Sequence, residues 1–325
     1  MSKAIRIHQP GDVSALKWDE VEVKDPAANE VKLRHLAVGV NFIDIYHRSG
    51  LYPVPQLPCV LGLEGAGEVT AVGSGVGHLK RGDLVAYATP PIGAYAEERL
   101  IPANRVVKLP PNIDPKTAAA IMLKGMTAEY LLHRTYKVKA GDVILVHAAA
   151  GGVGLLLCQW AKYLGATVIG TVSNAEKAEL AKANGCDYPL IHGQDDWVSE
   201  SKKISGGQGV NVVYDSIGKD SFTQSLDCLK PLGLMVSFGQ SSGSIPPVDL
   251  SILSAKGSLF LTRPTLMTYI AQDKDLQDSA AALFEVVGRD VLRISVNQTY
   301  ALKDAVLAHQ DLEARRTTGS SILIP

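Results

Sequence analysis

Between Val143 and Gln240 short β-branched runs alternate with helical ones, and this alternation narrows the possible folds of the chain further than any other feature. VILVHAA is followed by GVGLLLCQWAKYLG, TVIGTV by AEKAELAKANG, and VNVVYDS by SFTQSLDCLK, before LMVSFGQ. Near-continuous apolar strands separated by helices belong to a parallel sheet covered on both faces. A doubly wound α/β domain is therefore expected here.

The flanking sequence has a different texture. The first ~120 residues carry strand and turn signals: EVKLRHLAVGVN alternates around Val31, Leu33, His35 and Ala37, and GEVTAVGSGVGHLKRGDLVAYA is broken by glycines. KTAAAIMLKGMTAEYLLHRT, after Pro115, is rich in good helix formers. Beyond ~265 the chain returns to helix and strand and ends in SSILIP. This arrangement predicts a nucleotide-binding domain inserted into a β-rich one, with a cleft between them. A chain of 325 residues suffices for two such domains.

Composition excludes several partners. With a formal net charge of −1, the chain has no basic field for nucleic acid. No apolar run approaches the ~20 residues of a membrane helix. The four cysteines, Cys59, Cys158, Cys186 and Cys228, are scattered and read as reduced thiols, neither a disulfide frame nor a zinc site. A cytoplasmic protein is expected. His8, His78, His133 and His309 lack any partner pattern and read as surface residues.

HAAAGGVG joins the first of the alternating strands to its helix. It fits G-x-G-x-x-G with Ala149 in the first place and Gly151 and Gly154 in the others. Such glycines let backbone approach a pyrophosphate, which the helix N-terminus then stabilises. An NAD-selective site usually offers a carboxylate at the end of the next strand. This chain has Ser173, Asn174 and Lys177 there, groups suited to a 2′-phosphate, so NADPH is the expected cofactor. Ser173 or Asn174 also suits a helix N-cap.

GDVILVHAAAGGVGLLLCQWAK resembles the signature of the zeta-crystallin-like quinone oxidoreductases, a zinc-free branch of the medium-chain dehydrogenase/reductases. LGLEGAGEVTAVGSGV, VVYDSIG and GSLFLTRPTL resemble further blocks of that family. The resemblance implies a GroES-like catalytic domain in residues 1–123, a Rossmann-type NADPH-binding domain in 124–265, and a return to the catalytic domain in 266–325. Zinc enzymes of the superfamily carry Cys-His where this chain has Asn41-Phe42, and His-Glu where it has Leu63-Glu64. A catalytic zinc needs three N, S or O ligands, so metal-free chemistry is implied.

By the same resemblance, GVNFIDIYHRSGLY is an active-site lining. Asn41, Asp44 and Tyr46 would line the nicotinamide end, while Tyr52 and Lys124 would face the substrate. Thr127 and Tyr130 would flank the cofactor. Gly151, Gly152 and Val153 would meet the pyrophosphate, and Ser173, Asn174 and Lys177 the adenosine phosphate. His192 stands where the family usually has Tyr, at the adenosine end. Ser216, Phe238, Gly239, Ser241 and Ser242 fall on loops after later strands, and Arg263 and Arg315 would approach from the returning segment. Each has a plainer alternative: half-buried aromatics for Tyr46 and Tyr52, a structural acceptor for Asp44, an exposed helix lysine for Lys124, a solvent-facing turn for Arg315. The implied activity is reduction of a small quinone by NADPH, in a homodimer. An alkenal or enone reductase, and a crystallin-like or RNA-binding role, are the competing readings.

Overall fold

In the computed structural model, which describes all of residues 1–325, the chain forms two units. One is Thr127–Tyr269 with Arg289–Arg293, and the other is Met1–Met126 with Ile270–Gly288 and Ile294–Pro325.

The first unit holds a six-stranded sheet, parallel throughout. Its strands lie in the order Tyr188–Ile191, Thr167–Val172, Val143–Val146, Val210–Asp215, Leu229–Ser237 and Phe260–Thr262. The order reverses beside Val143–Val146, as in a doubly wound Rossmann sheet, where ligands bind outside the carboxyl ends of the strands. Ile144, Leu145, Val168, Ile169, Val212, Val213 and Met235 are buried along it, which explains the continuous apolar runs. Arg289–Arg293 re-enters this unit: Arg289 donates to the Tyr163 hydroxyl at 3.1 Å, and the Arg293 N–H to Gln159 Oε1 at 2.7 Å.

The second unit is built on a sheet ordered Val296–Ala301, Ser320–Ile324, Glu30–Val40, Glu64–Val72, Leu84–Ala88 and Val107–Lys108, with Glu98–Pro102 also pairing Glu30–Val40. A smaller sheet orders Lys17–Val21, Ser2–Ile7 and Cys59–Val60. In Glu30–Val40 the alternating Val31, Leu33, His35 and Ala37 all point into the core. His35 is held there by the Ala96 carbonyl and the Tyr87 hydroxyl, each at 2.6 Å. All four cysteines are buried free thiols.

One expectation fails outright. His309, read as a surface residue, is fully buried, because Ala305, Ala308 and His309 form the inward stripe of the helix Ala305–Glu313. Its ring meets Tyr95 edge-on at 5.7 Å. His133 is half-buried, with its ring 5.1 Å from that of Trp160.

Candidate functional site

In the second unit the expected lining is organised by one helix and one carboxylate. Asn41 is the extended N-cap of the helix Phe42–Ser49, and the Asp44 carboxylate accepts the Asn41 backbone N–H at 2.9 Å. That contact satisfies an otherwise orphaned donor at the helix start. Gly50, left-handed at φ 84°, ends the helix. The chain then turns so that Tyr52 N–H reaches the Tyr46 carbonyl at 3.0 Å. The Tyr46 and Tyr52 rings meet edge to face at 5.1 Å, forming a half-buried aromatic pair.

Glu64, at the head of Glu64–Val72, is the carboxylate. It is completely buried. One oxygen accepts the Leu123 N–H at 2.7 Å; the other accepts Asn41 Nδ2 at 2.8 Å and Lys124 Nζ at 3.3 Å. Asn41 and Lys124 are thus brought together by Glu64, which is not among the expected site residues. Lys124 is buried and ion-paired, which removes the exposed-lysine alternative. Gly39 makes room for Glu64, since a Cβ there would stand 2.1 Å from Glu64 Oε2 and 2.4 Å from the Ala119 carbonyl.

Asp44 is also fully buried. Its Oδ2 takes both the Asn41 N–H and the Tyr95 hydroxyl at 3.0 Å, while Oδ1 has no partner. Burial dominates and lifts its carboxyl to about 7, against the two hydrogen bonds and with a small push from Glu64.

The zinc ligand set of the superfamily does not fit here. Asn41, Phe42 and Leu63 occupy the positions of three of its side chains, and the Glu64 oxygens already serve three donors. No group of three or more His, Cys, Asp or Glu could hold a metal ion.

In the first unit, the expected cofactor residues gather at the carboxyl edge of the parallel sheet. After Val143–Val146 the chain turns through Ala148 at φ 53°, and the Gly151 N–H closes on the Ala148 carbonyl at 2.9 Å. Gly151 is the N-cap of the helix Gly152–Tyr163, with Gly152 and Val153 in its first turn. A Cβ on Gly154 would lie 2.2 Å from the Ala148 carbonyl oxygen, so only glycine fits beneath the loop. This helix start, with its free first-turn N–H groups and bare backbone, fits a pyrophosphate.

Ser173 follows Thr167–Val172 and is exposed. Asn174 caps the helix Ala175–Ala183 by accepting the Lys177 N–H at 2.9 Å. His192, exposed after Tyr188–Ile191, sits beside them through its N–H bond to the Val172 carbonyl. Ser216 and Phe238 follow the next two strands; the Phe238 N–H reaches the Asp215 carbonyl at 2.8 Å, and Ser241 N–H the Ser216 carbonyl at 3.1 Å. Gly239 packs on Ser216, and Ser242 Oγ donates to the Ile217 carbonyl at 2.9 Å. Arg263, just beyond Phe260–Thr262, donates to the Ser237 carbonyl at 2.7 Å and to the Gly239 carbonyl at 3.2 Å. Thr127 and Tyr130 are buried, and Tyr130 stacks on Tyr269 at 4.3 Å.

Arg315 belongs to the other unit and is exposed, at φ 57° in the turn after Ala305–Glu313. Two buried residues that support the nucleotide loops carried no signal in the sequence. Asp215 accepts the N–H groups of Ile217 and Gly218 and the Ser221 hydroxyl, shaping the turn that carries Ser216. His147, between Thr171 Oγ1 at 2.8 Å and Ser225 Oγ at 2.9 Å, pins the strand end before the glycine loop.

Two family models match the chain: zinc-binding dehydrogenase over residues 152–297, and the alcohol dehydrogenase GroES-like domain over residues 27–111. A quinone oxidoreductase of Pseudomonas aeruginosa is 50% identical over 325 residues, covering 100% of both chains. The structure of Escherichia coli quinone oxidoreductase complexed with NADPH superposes with a TM-score of 0.97 at 49% identity, over 99% of this chain and 100% of that one. A 2-haloacrylate reductase of a Burkholderia species is 45% identical over 100% of this chain and 99% of its own length.

Proposed function

We propose, from the premise that this chain belongs to the quinone oxidoreductase family of the medium-chain dehydrogenase/reductases, that it oxidises NADPH with a small quinone as acceptor and needs no metal. The observation that carries this reading is the Glu64 carboxylate, saturated by Asn41, Leu123 and Lys124 where zinc relatives place ligands. A site without a Lewis acid suits an electron-poor acceptor whose reduction yields an aromatic product.

NADPH, when bound, supplies the hydride. The chain supplies place and dryness. Gly151, Gly152 and Val153 hold the pyrophosphate at the helix N-terminus. Ser173, Asn174 and Lys177 take the 2′-phosphate, with His192 beside them, and no carboxylate stands at these positions to repel it. Ser216, Phe238, Gly239, Ser241, Ser242 and Arg263 wall the remaining carboxyl edge, and Thr127 and Tyr130 flank the cofactor. Asn41, kept in one orientation by Glu64, orients the nicotinamide, and Tyr46, Tyr52 and Lys124 face the acceptor. Arg315 contributes from its turn.

NADPH oxidation measured against ortho-quinones, para-quinones and 2-haloacrylate tests the reading. Quinones should turn over fastest, and chelator should leave the rate intact. Lys177→Ala should weaken NADPH by roughly 10- to 100-fold, the worth of one charge-assisted hydrogen bond, and leave NADH nearly unchanged. Faster turnover of 2-haloacrylate, chelator sensitivity, or equal losses for both cofactors would each count against it.

The assembly we propose is a two-fold homodimer. Phe260–Thr262 is the outer strand of the parallel sheet, with Phe260 59% and Leu261 37% exposed. An open apolar edge invites pairing with a second copy. Light scattering should give twice the chain mass of 34.6 kDa at micromolar concentration; a mass equal to one chain would exclude the dimer.

A further inference from the structure

Four buried side chains, Arg48, His309, Tyr95 and Asp44, form a continuous run that begins at the exposed Glu313. Glu313 takes Arg48 in a two-pronged pair at 2.6 and 3.0 Å. Arg48 Nη1 reaches His309 Nδ1 at 3.1 Å, His309 Nε2 reaches the Tyr95 hydroxyl at 3.0 Å, and that hydroxyl reaches Asp44 Oδ2 at 3.0 Å. Arg48, His309, Tyr95 and Asp44 are each at most 3% exposed.

The direction of the run follows from valence. A guanidinium only donates, so His309 Nδ1 accepts. His309 is neutral, because burial and the nearby Arg48 charge lower it to about 3. Its single ring proton then sits on Nε2 and is donated to the Tyr95 oxygen, which leaves the Tyr95 O–H for Asp44. From Arg48 onward each donor points toward Asp44, the carboxylate that also caps Asn41, while Arg48 donates the other way to Glu313.

We propose that Arg48, His309 and Tyr95 are positioning residues of the site: a run of donors aimed from Arg48 toward Asp44 that favours its carboxylate form against burial and through it fixes Asn41 and the start of the Phe42–Ser49 helix. The inference rests on Asn41 serving the nicotinamide. Burial alone favours a protonated Asp44, and protonation turns the Asn41 and Tyr95 bonds from charge-assisted to neutral, roughly halving their strength. The other charged groups around Asp44 are Glu64, which raises its carboxyl, and Lys124, which lowers it. His47, one turn along the same helix, is itself lowered by burial.

Two readouts test this. The unfolding free energy of each protein, minus that of its Asp44→Asn partner, followed across pH, reports the Asp44 midpoint without any turnover. The pH profile of kcat for quinone reduction should show an acid limb at the same midpoint. Tyr95→Phe removes one donor and should raise both midpoints by about one unit. His309→Leu, which ends the run one step earlier, should raise them less, and serves if Tyr95→Phe does not fold. His309→Gln should leave them in place, because its amide accepts from Arg48 and donates to Tyr95 as the neutral imidazole does. Midpoints unmoved in both Tyr95→Phe and His309→Leu would overturn the proposal. So would a shift in His309→Gln, or a kcat limb that does not follow the Asp44 midpoint. Failure of the wild type to reduce quinones would sink the functional reading instead, and the unfolding readout would still judge the run.

Discussion

Acidifying the protein from about pH 6.5 to about pH 4.5 is expected to cost the folded state about 4 kcal/mol. Burial is the leading cause for three histidines: His35 falls from 6.5 to about 3, His147 to about 4, and His309 to about 3. Each is neutral in the fold and takes up a proton only on unfolding. Their contribution is therefore fully present above the unfolded value and is lost as pH falls toward the folded one. Over this window each loses about 2.2 kcal/mol. Asp44 acts with the opposite sign, because its carboxyl is raised from 3.8 to about 7. The folded state binds that proton first and gains about 2.5 kcal/mol across the window. Carboxyls held low by hydrogen bonds, such as Asp83 and Asp114, lose their contributions only below it. Urea unfolding at the two pH values measures the sum. His147→Gln should reduce the loss by about 2 kcal/mol. Stability unchanged, or higher, at the lower pH would mean that the buried histidines do not titrate in this way.

The second large effect is expected at Glu64. Replacing it with Leu leaves the Lys124 ammonium buried without its counter-charge, and removing one partner of such a pair typically costs 3–5 kcal/mol. The loss belongs mostly to the stranded cation. Glu64→Leu combined with Lys124→Leu should therefore be more stable than Glu64→Leu alone, a strong departure from additivity. Denaturant unfolding of the two singles and the double decides the matter. A double variant at the sum of the single losses would show that Glu64 acts by packing alone. Glu64→Gln, which keeps an acceptor for the Leu123 N–H, should fold better than Glu64→Leu yet hold Lys124 less firmly.

The parts of the molecule legible in the sequence are those with local causes. The parallel sheet announces itself because a strand covered on both faces must be apolar at successive positions, as in VILV and TVIGTV. The glycine turn is readable because Gly154 has no steric substitute, and the Asn174 cap because its partner lies three residues on. The devices that organise the site are different in kind. Glu64 meets Asn41 across 23 residues and Lys124 across 60, while His309 meets Tyr95 across 214 and Arg48 across 261. No periodicity marks such pairings. For His309 the spacing with Ala305 and Ala308 was the one usable sign: a histidine on the apolar stripe of a short helix points inward.

The re-entry of Arg289–Arg293 bears on how such a chain can be cut and recombined. A fragment ending at Tyr269 would lose the Arg293 N–H that Gln159 accepts and the Arg289 side chain on Tyr163, both on the helix that follows the glycine loop. The nucleotide-binding module is thus not one exchangeable cassette. A chimera that imports it from a relative has to graft the five-residue return as well as the main segment.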